Sequence, residues 1–268
     1  MVLENIRSSL GLTRMPFSKQ IIVGDLFESA SMRDALARLD AALENEDTAL
    51  LTGQAGAGKS CVLRRFTASL DEKFHRVVYL SAECVKPGDI AKQILTALAQ
   101  EAPFHGTRAI RELKRFVASC NVDKGFKPVV VIDEAQELPM QTLTALKTFV
   151  NYEMDSRNYL FLLLCGQPEI EALLRTPAME SLSRRIRIRC RVKPLTLEET
   201  AKYVRHQMKR AGMERQFFSD EAVARIYEYS RGITSSVNHF CFSALALAVS
   251  EGKEIVDPAM IENLRGEE

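Results

Sequence analysis

The octapeptide GQAGAGKS, Gly53 to Ser60, fits the pattern GxxxxGK[ST] at every fixed position, and the reading of the chain turns on what flanks it. Before it stands a short apolar run, Ala49 to Thr52, with the character of a buried strand. After it the spacing predicts a helix from Lys59 to about Leu70. A strand, a Gly-rich turn and a helix are the setting that a phosphate cradle needs. Glycines let backbone N–H groups turn inward around an anion, and the helix N-terminus adds partial positive charge. On this reading Gly53, Gln54, Ala55, Gly56, Ala57, Gly58, Lys59, Ser60 and Cys61 form the nucleotide-binding loop. Lys59 reaches the β and γ phosphates of ATP, and the Ser60 hydroxyl coordinates Mg2+. An ordinary Gly-rich turn is the bland alternative, and it leaves the strand and the helix unaccounted for.

Some 70 residues on, VVVIDEA, Val129 to Ala135, runs four β-branched residues into two acids. Such a run reads as a strand buried on both faces, and ligands of open α/β sheets bind at the carboxyl ends of strands. Asp133 is therefore placed to hold Mg2+, and Glu134 to act as general base on the attacking water. After a further apolar run, Leu160 to Cys165, Gln167 in CGQPE is placed to sense the γ phosphate or orient water, or to be a solvated turn residue before Pro168. From Arg185 to Lys193 apolar and basic residues alternate strictly, which predicts a strand with one wet face. Two readings of that arginine ladder stand: an edge strand guarded by charge, or a functional surface that meets phosphates, with one of Arg184 and Arg185, which open the strand, as an arginine finger acting on a neighbour's ATP.

Farther from the cradle, short apolar blocks alternate with helical periods between about residues 30 and 193. That is the pattern of an α/β fold with a parallel sheet. Helices are expected at Ser31 to Leu43, about 88 to 101, 108 to 120 and 141 to 152, and a further strand at Val77 to Leu80. Beyond Pro194 the pattern is wholly helical. Thr196 and Glu199 form a capping-box pair opening a helix to about Arg210, Ser219 caps another through Tyr229, and a third runs from about Ser236 to Ser250. The expected domains are 1–193, an α/β nucleotide-binding domain with an N-terminal arm, and 194–268, a helical lid.

Lys and Arg (36) nearly cancel Asp and Glu (35), so any basic site must be local rather than a property of the whole chain. The cysteines, at 61, 84, 120, 165, 190 and 241, have no CxxC spacing, which fits reduced thiols and a cytoplasmic location. No apolar run approaches the roughly 20 residues that span a bilayer, so no membrane insertion is expected.

Together with GLTRMPF (11–17), LFESASMRDALARL (26–39), VVVIDEAQELP (129–139), NYEMDSR (151–157), LLLCGQPE (162–169), LSRRIRIRCRVKPLTLEET (182–200) and RGITSSVNHFC (231–241), the cradle makes the chain resemble the AAA+ ATPases of the general-secretion ExeA type. These are related to the TniB and TnsC type ATPases of transposons. The resemblance implies a P-loop NTPase of the AAA+ kind, with a five-stranded core, a small C-terminal helical lid, and ATP held at subunit interfaces of a homo-oligomeric ring or helical filament. It places Gln167 at the first sensor, Arg185 at the arginine before the lid, and Pro16 and Phe17 in a segment that packs near the nucleotide. One departure stands out: the family usually reads GIPR where this chain has Gly232, Ile233, Thr234 and Ser235. Ser235 carries no charge, and Arg231 is the candidate to replace the missing arginine.

The secretion branch usually continues into a membrane span, which is missing here, so the transposon branch is the expected one. The resemblance then implies an ATP-dependent, slowly hydrolysing oligomer that binds double-stranded DNA with little sequence preference and recruits or activates a transposase. Arg108, Arg111, Lys114 and Arg115, at helical spacing, are candidate phosphate contacts or simply a solvated helix face. The alternatives are a cytoplasmic ATPase of a secretion or envelope-assembly system, and a nucleotide-switched interaction module with little hydrolysis.

Overall fold

A computed structural model describes residues 2–82, 86–122, 124–150 and 158–265. The block NYEMDSR, Cys84 and the expected end of the helix at Tyr152 lie outside them. In chain order the elements are α1 (Val2–Leu10), α2 (Ala30–Glu44), β1 (Thr48–Gly53), α3 (Lys59–Ser69), β2 (His75–Ser81), α4 (Pro87–Ala97), α5 (Gly106–Val122), β3 (Lys127–Asp133), α6 (Met140–Leu146), β4 (Phe161–Gly166), α7 (Glu169–Leu174), α8 (Glu180–Ser183), β5 (Ile186–Val192), α9 (Leu197–Arg210), α10 (Asp220–Ser230), α11 (Thr234–Glu251) and α12 (Pro258–Arg265). They fall into two compact units. One comprises Ser31–Gly53 and Val62–Val192; the other comprises Met1–Ala30, Gln54–Cys61 and Lys193–Glu268.

The first unit is a five-stranded sheet in the order β2-β3-β4-β1-β5, parallel throughout. Burial follows that order. β1 and β4 are buried at every position and β3 at all but Lys127, because helices cover both faces of a parallel sheet. The edge strands β2 and β5 are buried only at alternate positions or fewer. Arg187, Arg189 and Arg191 face outward from β5 while Ile186, Cys190 and Val192 face inward, so the arginine ladder does lie on an edge strand. On one face Leu50, Val78, Leu80, Val130, Ile132, Leu162 and Leu164 form a core with residues of α4, α5 and α6.

Several boundaries differ from the periodicity: α4 stops at Ala97 and not near residue 101, because Ala99 turns into the left-handed region at φ +57°. α6 stops at Leu146 because Thr148 and Phe149 donate their N–H groups to Ala145 and Leu146, three residues back, and this tightening ends the helix. β5 begins at Ile186, so Arg185 precedes the strand instead of opening it.

The second unit has its own core of Leu195, Tyr203, Val204, Phe217, Ile226, Phe240 and Leu245, joined by Ile6, Leu12 and Phe17 from the N-terminal arm. Thr196 and Glu199 form the reciprocal capping box that opens α9, and the Ser219 hydroxyl accepts from the Ala222 N–H at the start of α10. Phe17 stands edge-on to Phe218 with centroids 6.0 Å apart. Buried Asp25 takes ion pairs from Arg14 of the arm and Arg210 of α9. His206 of α9 meets the Asp25 carbonyl at 2.8 Å. The arm is thus tied down both by apolar packing and by a shared buried carboxylate.

Candidate active site

β1 ends at Gly53, and the next residues form the loop in front of α3. Gly56 and Gly58 take φ of +75° and +105°, a region that side chains other than glycine's rarely adopt. Successive residues of this kind turn N–H groups toward a common point, which suits an anion. Lys59 opens α3 and is buried, and its Nζ rests 3.3 Å from the Gln54 carbonyl of the same loop. A buried ammonium held near its own loop and at a helix N-terminus fits a phosphate group. Ser60 next to it is exposed, and its hydroxyl is of the kind that ligates Mg2+ in such loops.

The same loop is in contact with the helical unit to which it belongs. The Ser235 N–H, in the first turn of α11, donates to the Gly56 carbonyl at 3.0 Å. A Cβ built on Gly56 would collide with the hydroxyl and Cβ of Ser235. Gly56→Ala therefore meets two penalties, an unfavourable φ and a blocked contact. It is expected to lower the melting temperature by several degrees, as about 1–2 kcal/mol does in a chain of this size, and adding Ser235→Gly is expected to recover part of the loss. Arg231, at φ +50°, lines a cleft of about 580 Å³ with Ser235, His239 and Arg265.

In the sheet unit, Asp133 is the last residue of β3 and is buried. One carboxylate oxygen, Oδ2, accepts from the Tyr79 hydroxyl at 2.7 Å; the other, Oδ1, accepts from the Glu134 N–H at 2.9 Å. Burial, then the bond to Asp133, raises the Tyr79 phenol's pKa, so Tyr79 stays a donor. Glu134 sits in the left-handed region, φ 51° and ψ 40°, an uncommon state for a residue with a side chain, and it breaks the strand there. The Glu134 carboxylate receives the side-chain amide of Gln136 at 2.6 Å, and the same amide accepts the backbone N–H of Gln167 at 3.0 Å. Asp133, Glu134 and Gln167 are thus gathered at the carboxyl ends of adjacent strands β3 and β4.

Arg185 lies at the other end of this sheet. It lines a polar cleft of about 560 Å³ with Arg184, Arg187, Glu46, Asp47 and Glu180. Its neighbour in the sheet, Ile186, pairs with Thr48, the first residue of β1. In a parallel sheet this puts Arg185 a full strand, roughly 20 Å, from the edge that carries Asp133.

Tyr79, Gln136 and the Ser235 contact carry no assignment in the sequence reading. Gln136 had a signal, since it stands in the block VVVIDEAQELP; Tyr79 reaches Asp133 only through the β2–β3 register, which no local pattern records.

A model described as an AAA domain matches residues 42–174. General secretion pathway protein A of Aeromonas hydrophila is 31% identical over 248 residues, covering 90% of this chain and 44% of that protein, so the chain spans less than half the length of this relative. Among solved structures, Cdc6p of Pyrobaculum aerophilum superposes with a TM-score of 0.72 at 17% identity, covering 94% of this chain and 70% of that one. The ORC1 protein of Aeropyrum pernix, solved in complex with DNA, gives 0.64 at 20% identity, with 93% and 68% covered. The RuvB Holliday junction branch migration motor of Thermotoga maritima gives 0.59 at 18% identity, with 88% and 68% covered. These structural likenesses show a shared fold.

Proposed function

We propose, from the premise that this chain belongs to the AAA+ ATPases of the ExeA-like kind, that it binds ATP with Mg2+ on the loop Gly53–Cys61 and hydrolyses it slowly within a homo-oligomer. The observation that carries this reading is buried Lys59 at the head of α3, behind a loop whose Gly56 and Gly58 hold positive φ. Ser60 and Asp133 would hold the metal, whose contribution when bound is to neutralise charge on the phosphates. Glu134 takes the proton from the attacking water, and Gln167 orients that water or senses the γ phosphate. The strand's length between Arg185 and the Asp133 edge supports a role for Arg185 at a neighbour's ATP.

For the biological role, the relation of this family to the TniB and TnsC type ATPases of transposons supports a cytoplasmic regulator that binds duplex DNA with little sequence preference and recruits or activates a transposase. α5 supplies a surface suited to phosphates. Ala109, Leu113, Val117 and Cys120 are buried, while Arg108, Arg111 and Arg115 are exposed on the opposite side. Duplex binding is expected to require an ATP analogue and to fall steeply between 50 and 200 mM salt, as counterion release dictates. Replacing Arg108, Arg111 and Arg115 with alanine is expected to flatten the slope of log K against log salt by about 3. An unchanged slope excludes the α5 face, and no DNA binding at any salt excludes the role.

A second reading, an ATPase of a secretion or envelope-assembly system, is favoured by the identity to general secretion pathway protein A. It predicts nucleotide-dependent capture of a membrane-bound partner and no salt-sensitive DNA binding. A switch with little hydrolysis is favoured by the uncharged Ser235; it predicts equal, negligible turnover in wild type and in Glu134→Gln.

A further inference from the structure

Gln136 lies two residues beyond Glu134, on the short 3-10 turn Ala135–Glu137, and its side-chain amide faces two strand ends at once. Its Nε2 donates to Glu134 Oε2 at 2.6 Å and, more weakly, to Glu137 Oε1 at 3.4 Å. Its Oε1 accepts the backbone N–H of Gln167 at 3.0 Å. We propose that Gln136 is a positioning residue that clamps the Glu134 carboxylate to the backbone at the end of β4, so that a displacement at Gln167 is passed to the base. The inference rests on the reading of Glu134 as that base.

The physical case begins with Glu134's backbone. A non-glycine residue in the left-handed region is strained, and it persists where the surroundings over-determine it. Here two bonds do so: the Glu134 N–H to Asp133 Oδ1, and the Gln136 amide to the Glu134 carboxylate. A primary amide is the side chain suited to this place, because it carries a donor and an acceptor at a fixed separation. Glutamate at 136 sets a second carboxylate against Glu134 and loses the donor. Leucine has neither end, and asparagine is a methylene short.

The seat for the amide is cut by Gly166. A Cβ added there would stand 2.5 Å from Gln136 Oε1, whereas its nearest backbone neighbours, the Ala135 and Gln136 nitrogens, are at 3.6 Å. Gly166 is not at positive φ, so alanine is conformationally acceptable. Gly166→Ala therefore displaces a side-chain tip and leaves the fold in place, which separates the clamp from general stability.

The test uses the full chain with Gln136→Ala, Gln136→Glu and Gly166→Ala. Each is expected to lower kcat by roughly tenfold or more, since small misplacements of a catalytic group are costly. ATP affinity and melting temperature are expected to stay near wild type. Amide hydrogen exchange at Gln167 is expected to accelerate at least roughly tenfold in Gln136→Ala and Gly166→Ala, because its acceptor is gone. Gln136→Ala added to Glu134→Gln is expected to cost no further turnover, the non-additivity of residues acting as one unit. Unchanged exchange at Gln167 overturns the clamp. So does full turnover in Gln136→Ala when Glu134→Gln is inactive. Full turnover in Glu134→Gln instead removes the assignment of the base, and the clamp's catalytic purpose falls with it.

Discussion

Lys59→Ala is expected to weaken ATP binding by roughly 30-fold to several thousand-fold and to abolish any assembly that depends on the nucleotide. The range follows from the cost of truncating one partner of a buried charge pair, about 2–5 kcal/mol. In the structure the ammonium is buried and rests against the Gln54 carbonyl of its own loop, a neutral acceptor that a phosphate outcompetes. Removing it leaves α3 and β1 with their own packing, so the melting temperature without nucleotide is expected to move little. Lys59→Arg is not a gentle control. A guanidinium is wider and forked, and at a site fitted to a point charge it is expected to bind poorly too. Calorimetric titration of ATP with Mg2+ into wild type and Lys59→Ala checks the claim. Equal affinities would remove the cradle from the account.

The parts of the fold that the sequence announces are those where local chemistry decides the structure. β1, β3 and β4 are continuous apolar runs because both their faces are covered, and β5 alternates because one face is wet. The caps of α9 and α10 are legible because Thr196, Glu199 and Ser219 act on backbone within three residues. Short elements are not legible. α7 and α8 have six and four residues, too few for a helical period to show. Neither is the place of the arm, since Leu12 and Phe17 are buried by residues some 200 positions away.

The site divides in the same way. The loop at Gly53 to Ser60 and the acids Asp133 and Glu134 are consecutive residues with fixed spacing, so a motif can state them. What holds those acids is not consecutive. Tyr79 bonds Asp133 across 54 positions, and Gln136 joins Glu134 to Gln167 across 31. Those pairings depend on the order β2-β3-β4, which sequence periodicity leaves open. Ser235 is the instructive case. The sequence records it as a missing charge, whereas the structure gives it a different use, as a backbone donor packed on Gly56 of the loop.

Glu134→Gln is expected to reduce ATP turnover by roughly a hundredfold to ten-thousandfold while leaving ATP affinity within about threefold, because a positioned general base is worth that much and the ground-state contacts do not involve it. The substitution is close to isosteric, and the new side-chain oxygen still accepts from the Gln136 amide, so loss of activity is not loss of shape. Arg185→Ala is expected to silence turnover for a different reason. Arg185 precedes β5 at the strand end opposite Asp133, so within one subunit it has no route to the base. Each variant alone is then inactive, but the two defects lie on opposite sides of any shared interface. In a head-to-tail assembly mixed one to one, roughly a quarter of interfaces pair an intact Glu134 with an intact neighbouring Arg185. Turnover of the mixture is expected to rise toward that fraction of wild type, measured as phosphate release over a range of mixing ratios. A mixture as inactive as its components excludes action in trans, and activity of Arg185→Ala alone excludes the finger.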